Sequence, residues 1–378
     1  MTANPTPTEN TNDHVLWKFP TSGAIWGTPA AYEDKIFVGS DDGNLYAVAV
    51  ETGVQKWVFA TGGVVRSRPA FDPGAGKLFF SSDDGFLYAL NAQDGALLWQ
   101  TDIGNITDPS IRNIIGDSPS PTGYDYLQSS PVFSKGLIFI GSADGKIYAL
   151  TADSGEVLWT YQTGAQVRAT PAVNDGTVYV GSWDMSMYAL DAQTGDLRWQ
   201  TPLEGQVQTT ALVNQNLVYT ASRKASVVAL DAATGEQVWD FFYGSNMWVE
   251  SSPTLVDSVV YIGSSGSQMI FGFDSQTGNL ILTHQSRAFC WSKPLVVEQA
   301  MIIGCTNANS PHQGMFVLAI GPHPANPKSL ALTSKWELPM GKSLEISKAW
   351  TGVASSPIDA NGVIYFGGLD GVLYALKP

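Results

Sequence analysis

The chain has 378 residues, of which 44% are hydrophobic and 14% are charged, and its formal net charge is −14. This composition fits half-buried strands joined by short polar turns. The acidic balance argues against a nucleic-acid partner, because phosphates require a basic surface. No apolar run approaches the length of a membrane span, so we expect none.

The first 14 residues are polar and rich in Pro, Thr and Asn, which predicts a disordered tail or linker. Residues 15–19, VLWKF, then read as the last strand of a repeat unit that has no preceding strands. This isolated strand is available to complete a unit at the other end of the chain.

From there the chain repeats itself about every 40 residues. Each unit reads as short apolar runs separated by turns, and in most units a turn Gly is followed four residues later by a Trp. The units begin near Thr28, Arg68, Ser129, Ala169, Thr209, Ser251, Ser292 and Ser355. A repeat of this length without helical periodicity predicts propeller blades, each a four-stranded antiparallel meander.

The eighth unit stops at Leu376, straight after its third strand. The strand around Trp17 supplies the missing fourth strand, and this pairing closes the ring and removes exposed sheet edges. We therefore predict an all-β fold, a single eight-bladed β-propeller domain spanning residues 15–378, with Trp17 close to Tyr374.

The run Ala-Leu-Asp-Ala-x-Thr-Gly-x-x-x-Trp occurs at residues 189–199 and again at 229–239. In this run the chain resembles the pyrroloquinoline quinone (PQQ) repeat family, which includes eight-bladed quinoprotein alcohol dehydrogenases and the outer-membrane assembly lipoprotein BamB. The resemblance covers about residues 15–378 and implies that the repeated Trp docks between adjacent blades. It implies less about function, since one fold hosts many activities.

Departures from the repeat gather on one face, formed by the links into the blades and the turns between second and third strands. They comprise segments 103–127 (with Tyr124 and Tyr126), 183–185, 223–225, 243–250, 306–314 and 341–353. Five Trp residues outside the repeat register also fall there, namely Trp26, Trp183, Trp248, Trp291 and Trp350. Exposed or half-exposed Trp clusters are typical of recognition surfaces, so we predict that this face binds a protein partner.

A second candidate site lies on the axis. Three residues before the Pro register, the units carry Trp26, Arg66, Gln128, Arg168, Gln208, Glu250, Trp291 and Ala354. These positions precede the innermost strands and are expected to ring the mouth of the central channel. Converging Arg, Glu and Trp side chains favour a quinone, a sugar or an anionic ligand, and a water-filled polar channel is the alternative.

The resemblance to quinoprotein dehydrogenases implies a quinone, a divalent cation, an Asp base and commonly a disulfide between adjacent cysteines. Here Cys290 and Cys305 are not adjacent, no Glu/Asn/Asp trio matches a family motif, and the four His residues form no metal-binding pattern. We therefore expect no catalytic residue, no PQQ or other cofactor and no metal. A PQQ-dependent dehydrogenase is kept as a further alternative.

The two cysteines leave two possibilities open. If segments 292–297 and 300–305 form a hairpin, Cys305 lies diagonal to Cys290, at or beyond the upper edge of disulfide geometry. A disulfide between them would support an oxidising compartment. The expected geometry slightly favours two buried free thiols.

These observations predict a non-catalytic protein-binding scaffold, similar to BamB in an envelope assembly. The resemblance implies an Arg-centred motif in the partner-binding link, whereas the comparable residues 202–206 read PLEGQ. The alternative is a small-molecule binding or sensor domain that uses the channel mouth. The N-terminus shows no apolar signal core or lipobox Cys. A cytoplasmic protein is one interpretation, and exported relatives favour an extracytoplasmic chain, in the periplasm or at the cell surface.

Overall fold

The computed structural model describes residues 14–104, 129–224, 226–244, 251–264, 266–307, 313–340 and 351–377. The predicted tail up to residue 13 lies outside this part of the chain, as do Tyr124, Tyr126, Gln128, Trp248, Glu250 and Trp350. The described residues contain no helix with the length and apolar character needed to cross a membrane.

The described chain folds into eight antiparallel sheets, each with its strands in sequence order except the one that closes the ring. Blades 1 and 2 consist of β2 (Ala30–Tyr32), β3 (Lys35–Gly39), β4 (Asn44–Ala49) and β5 (Gln55–Ala60), then β6 (Ala70–Asp72), β7 (Lys77–Ser81), β8 (Phe86–Asn91) and β9 (Leu97–Asp102). Blades 3 and 4 consist of β10 (Val132–Ser134), β11 (Leu137–Gly141), β12 (Lys146–Thr151) and β13 (Val157–Gln162), then β14 (Ala172–Asn174), β15 (Thr177–Gly181), β16 (Ser186–Asp191) and β17 (Leu197–Pro202).

The second half of the ring repeats this order. Blades 5 and 6 consist of β18 (Leu212–Asn214), β19 (Leu217–Ser222), β20 (Ser226–Asp231) and β21 (Gln237–Phe242), then β22 (Thr254–Val256), β23 (Val259–Gly263), β24 (Met269–Asp274) and β25 (Leu280–Gln285). Blade 7 consists of β26 (Leu295–Val297), β27 (Ala300–Asn307), β28 (Gly314–His323) and β29 (Asn326–Pro339), with the short β30 (Thr351–Gly352) paired to β27. Blade 8 consists of β31 (Ile358–Ala360), β32 (Val363–Gly367), β33 (Val372–Leu376) and β1 (Val15–Pro20).

The middle strands of each blade are apolar along their length because neighbouring blades cover both of their faces. In blade 4 every residue of β15 is buried, which is the pattern of a continuous apolar run in a core. The outermost strand β17 is instead largely exposed, with Trp199 as its buried residue. Burial is therefore highest in the two middle strands, intermediate in the innermost strand and lowest in the outermost one.

The predicted closure of the ring is confirmed. β1 pairs antiparallel with β33, with Trp17 opposite Ala375 and Lys18 opposite Tyr374. The strand from the beginning of the chain thus completes blade 8 and leaves no unpaired edge on β33.

In six of the eight blades the repeated Trp joins the blade to the next one. Its indole Nε1 donates a hydrogen bond to a backbone carbonyl of the following blade in six pairs: Trp17 to Val50 (3.0 Å), Trp57 to Ala92 (3.3 Å), Trp99 to Ala152 (3.2 Å), Trp159 to Ala192 (3.1 Å), Trp199 to Ala232 (3.0 Å) and Trp239 to Ser275 (3.0 Å). The same ring covers the turn Gly of that blade. A Cβ at Gly195 (φ +75°), for example, would lie 2.7 Å from the Trp159 ring, so this position requires glycine.

Blade 7 departs most from the repeat. Leu282 occupies the Trp position of β25, so the indole contact between blades 6 and 7 is replaced by an aliphatic one. Segment 321–334 mostly belongs to the long β28–β29 hairpin. This hairpin packs against β25 of blade 6.

Cys290 and Cys305 form a disulfide, with 4.0 Å between their Cα atoms. The preference for two free thiols is therefore wrong. The reason is that the link before β26 does not continue the line of that strand. Phe289 pairs with Thr306 in an isolated antiparallel bridge, and this brings Cys290 directly beside Cys305. The disulfide ties the link between blades 6 and 7 to the end of β27.

Candidate functional site

The links that enter the innermost strands converge on a cavity of about 120 Å³ at the propeller axis. Six residues of the predicted ring line it: Trp26, Arg66, Arg168, Gln208, Trp291 and Ala354. Gln128 and Glu250, the other two members, lie outside the described residues. The register of the repeat was therefore enough to identify side chains from six blades that share one cavity.

Trp26, Trp291 and Arg66 form a stack at this cavity. The two indole rings have centroids 6.2 Å apart and planes inclined by 23°, and the Arg66 Cζ lies 5.6 Å from the centroid of the Trp26 ring. The Arg66 guanidinium also donates to both Asp41 oxygens, from Nε at 2.7 Å and from Nη2 at 2.8 Å. This two-pronged pair fixes the Arg66 side chain and matches its charge.

A second ring lines the same cavity, two residues further along each link. It consists of Thr28, Arg68, Ser130, Thr170, Thr210, Ser252, Lys293 and Ser356. Five of the six hydroxyl residues accept a hydrogen bond from the backbone N–H of a neighbouring blade: Arg68 to Ser130 (2.8 Å), Ser130 to Thr170 (3.0 Å), Thr210 to Ser252 (2.9 Å), Lys293 to Ser356 (2.9 Å) and Ser356 to Thr28 (3.2 Å). We call these eight positions, including Arg68 and Lys293, the axial hydroxyl ring. Arg68 and Lys293 stand where the other blades carry a hydroxyl.

Aspartates brace five turns of the same face. Each accepts a hydrogen bond from a Tyr hydroxyl four residues later: Tyr46 to Asp42 (2.9 Å), Tyr88 to Asp84 (2.6 Å), Tyr148 to Asp144 (2.6 Å), Tyr188 to Asp184 (2.6 Å) and Tyr374 to Asp370 (2.7 Å). Burial, followed by the adjacent carboxylate, raises the pKa of each of these Tyr hydroxyls. The acidic turns are therefore engaged in structure. Within the described ranges no group of three His, Cys, Asp or Glu side chains is placed to hold a metal ion.

A compact patch projects from the turns of blades 4 and 5. The Arg223 Cζ lies 5.0 Å from the centroid of the Trp183 ring, a cation–π contact between two half-buried side chains. Beside them Met185 has 49% of its surface exposed. We call Trp183, Met185 and Arg223 the Trp183 patch. An ion pair between Lys224 and Glu204, 2.8 Å long, lies next to it in sequence.

The exposure predicted for the extra Trp residues is only partly correct. Trp183 and Trp291 are half-buried. Trp26 is only 4% exposed and packs with Ala24 and Leu369, so for this residue the prediction of an exposed surface is wrong. The axis provides a packing slot that the blade repeat alone does not reveal.

Met185 and Arg223 lie in segments 183–185 and 223–225, which the sequence analysis places on the recognition face without naming either residue as a site residue, whereas Arg68 and Lys293 were missed as site residues. Met185 occupies the turn position where other blades have a positive-φ Gly, such as Gly43, Gly85 and Gly145. Arg68 and Lys293 interrupt a run of Ser and Thr immediately before the Pro register. Segment 223–225 departs from the Asp-Gly turn type, but the position of Arg223 in the repeat is occupied by different residue types in different blades, so the repeat alone does not single out this residue.

Comparison with known proteins identifies relatives of this architecture. The family model described as "Outer membrane protein assembly factor BamB" matches residues 8–122, 83–200 and 143–289. No curated protein sequence matches the chain. Among solved structures, BamB from Moraxella catarrhalis is similar with a TM-score of 0.69 and 18% identity, over 96% of this chain and 97% of that one. The computationally designed Ika8 protein is similar with a TM-score of 0.69 and 15% identity, over 95% and 98% of the two chains.

Proposed function

The chain belongs to the BamB family of PQQ-repeat propellers, and we propose that it is a non-catalytic scaffold that binds a protein partner through its loop face. The family description names an outer-membrane assembly factor, so the proposed partner is a component of an outer-membrane protein assembly machinery. The proposed location is accordingly extracytoplasmic. No cofactor is part of this proposal.

The observation that carries the proposal is the exposure of Met185. Its backbone φ is +67°, in the left-handed region where blades 1, 2 and 3 use Gly43, Gly85 and Gly145. A side chain in this conformation costs about 1–2 kcal/mol relative to glycine. Since Met185 is half exposed, burial within the chain offsets little of that cost. Burial of the Met185 side chain by a partner would offset that cost.

The chemistry of the Trp183 patch supports the same conclusion. Trp and Arg dominate the residues that contribute most to protein interfaces, and Met adapts its shape to a partner surface. The cation–π contact holds the Trp183 ring and the Arg223 side chain together before binding, which lowers the entropy lost on association. The patch offers a partner an apolar centre with a positive charge at its edge.

The test is capture of outer-membrane assembly proteins from envelopes of the organism that encodes the chain. Tagged wild type is compared with Met185→Gly, Trp183→Ala and a control, Val238→Thr, which removes an apolar side chain that is 50% exposed on the rim. We expect wild type and the control to retain the same assembly protein and each patch variant to retain at least about tenfold less.

Met185→Gly separates binding from folding, because removing the strained side chain is expected to leave the fold as stable or more stable than wild type. Equal capture by all four proteins would place the interface elsewhere. Failure of wild type to retain any assembly protein would argue against the scaffold function itself.

A further inference from the structure

Two cations face the axial cavity from positions that the repeat assigns to a hydroxyl. Arg68 and Lys293 belong to blades 2 and 7, and both line the cavity together with the six Ser and Thr residues of the axial hydroxyl ring. The backbone N–H of each still donates to the hydroxyl of a neighbouring blade, Ser130 and Ser356 respectively. The backbone therefore keeps the regular geometry, and only the side chains differ.

Arg68 and Lys293 remove hydrogen bonds from the axial hydroxyl ring. In five places the hydroxyl of a following blade accepts the N–H of the blade before, as between Ser356 and Thr28. Arg68 and Lys293 carry donors only and cannot accept such a bond. The two cations thus weaken the axial hydrogen-bonding pattern, which calls for a compensating role.

No acidic side chain of the described residues forms an ion pair with either cation. Both residues are exposed to solvent, and both line the cavity. Burial lowers the pKa of Arg68, and burial together with the charge of Arg68 lowers the pKa of Lys293. The positive charge of Arg68 therefore disfavours the protonated form of Lys293.

The described lining of the cavity is cationic, in a chain whose net charge is −14. Four cations line it, Arg66, Arg68, Arg168 and Lys293, and its described lining contains no Asp or Glu. Asp41 matches the charge of Arg66, and the Nε of Arg168 donates to Gln166 Oε1 at 2.9 Å. The charges of Arg68 and Lys293 remain for a ligand.

Gln208 adds an independent sign of a ligand. Its side chain is only 5% exposed and lines the cavity. Neither the amide nitrogen nor the amide oxygen has a hydrogen-bond partner among the described residues. A buried amide with both groups unsatisfied is costly, and a bound polar molecule removes that cost.

We propose that the axial cavity binds a small oxyanion with at least two negative charges, a phosphate or a dicarboxylate, held by Arg68, Lys293 and Gln208. The cavity of about 120 Å³ holds roughly eight water-sized groups, which suits a ligand of this size. Arginine and lysine supply charge-assisted hydrogen bonds to either kind of oxyanion, and the amide of Gln208 donates a neutral one. This site is independent of the proposed protein interface, which lies on the turns of blades 4 and 5.

The test is isothermal titration of the purified chain with inorganic phosphate and, separately, succinate, in a zwitterionic buffer of low ionic strength. Glycerol serves as an uncharged ligand. The variants Arg68→Thr and Lys293→Ser install the residue types that other blades carry at this position. The control Lys56→Thr removes the same charge from an exposed position on β5.

We expect at least one of the two anions to bind wild type, and Arg68→Thr and Lys293→Ser to weaken that binding at least about tenfold each. Lys56→Thr is expected to change it less than twofold. The anion that binds more tightly shows whether the site prefers a phosphate or a dicarboxylate. The proposal is overturned if neither anion binds wild type, or if the control weakens binding as much as the cavity variants do.

Unfolding of the ligand-free proteins provides a second readout. If the cations are a ligand site, Arg68→Thr and Lys293→Ser raise the urea midpoint, because the hydroxyl ring is completed and the repulsion is removed. A lowered midpoint in both variants, together with unchanged anion binding, would show that the two cations are structural.

Discussion

The contact between Trp159 and Gly195 allows the stabilisation of a blade seam to be measured with a matched pair of variants. Gly195 and Gly176 both belong to turns of blade 4, with φ of +75° and +73°. An added Cβ would lie 2.7 Å from the Trp159 ring at Gly195, but would meet nothing within 4 Å at Gly176. Substitution by alanine at the two positions therefore differs only in the clash with the indole.

The expected magnitudes follow from that difference. Both variants pay the cost of a left-handed alanine, about 1 kcal/mol. In Gly195→Ala the indole must also retreat by about 1 Å to reach a normal contact distance. It cannot do so freely, because Trp159 is buried and its Nε1 is hydrogen-bonded to the Ala192 carbonyl. Overpacking of this kind adds about 1–3 kcal/mol.

The assay is urea unfolding followed by intrinsic fluorescence, with the dependence on urea checked for constancy across variants. We expect a loss of about 1 kcal/mol for Gly176→Ala and about 2–4 kcal/mol for Gly195→Ala. In a Trp159→Ala background, Gly195→Ala is expected to cost only the backbone term of about 1 kcal/mol. Equal losses for the two glycines, or the same loss for Gly195→Ala in both backgrounds, would refute the steric account.

Two further predictions concern the disulfide and the alkaline limit of stability. Cys290→Ser is expected to lower the free energy of unfolding by about 3 kcal/mol, because the disulfide closes a loop with a sequence separation of 15. Alkylation of the unreduced wild-type protein, followed by mass spectrometry, should leave both cysteines unmodified. Burial, followed by the charge of Asp359, raises the pKa of Tyr365 from 10.0 to about 12. The contribution of the protonated Tyr365 hydroxyl to the free energy of unfolding is therefore fully present below pH 10 and is lost between pH 10 and 12. Tyr365→Phe loses the hydrogen bond to the Val50 carbonyl and is expected to be less stable than wild type by about 1 kcal/mol at pH 8. Urea unfolding at a series of pH values should show this difference in the free energy of unfolding becoming smaller above pH 10.

The regular part of the fold could be predicted from the sequence because each blade has to solve the same packing problem. Gly195 and Trp199 in one unit, and Gly235 and Trp239 in the next, mark a turn and a docking residue at constant spacing. Once the repeat is counted, the isolated strand around Trp17 has one open edge available to it, and that edge belongs to β33.

What could not be predicted depends on where the chain leaves the repeat. Trp26 reads as an exposed extra Trp, yet it is buried because residues from several blades meet at the axis and enclose it. The disulfide depends on the path of an irregular link, which hairpin geometry does not describe. Periodicity predicts contacts between equivalent positions, and these two features join positions that are not equivalent.

The seam between blades 6 and 7 shows how such departures compensate one another. Leu282 replaces the docking Trp there, and Lys293 replaces a hydroxyl of the axial ring, so the seam lacks two contacts that other seams have. Hydrogen bonds from Ser251 to the Ser292 carbonyl (2.9 Å) and from Thr254 to the Pro294 carbonyl (2.6 Å) remain.

The disulfide lies at this same seam, where it secures the link that carries Lys293 toward the axis. The long β28–β29 hairpin covers the outer part of the seam by packing against β25. Lys293 lies three residues after Cys290, so the disulfide anchors the link close to this cation. The cross-link therefore restrains the same link that brings Trp291 and Lys293 to the axial cavity.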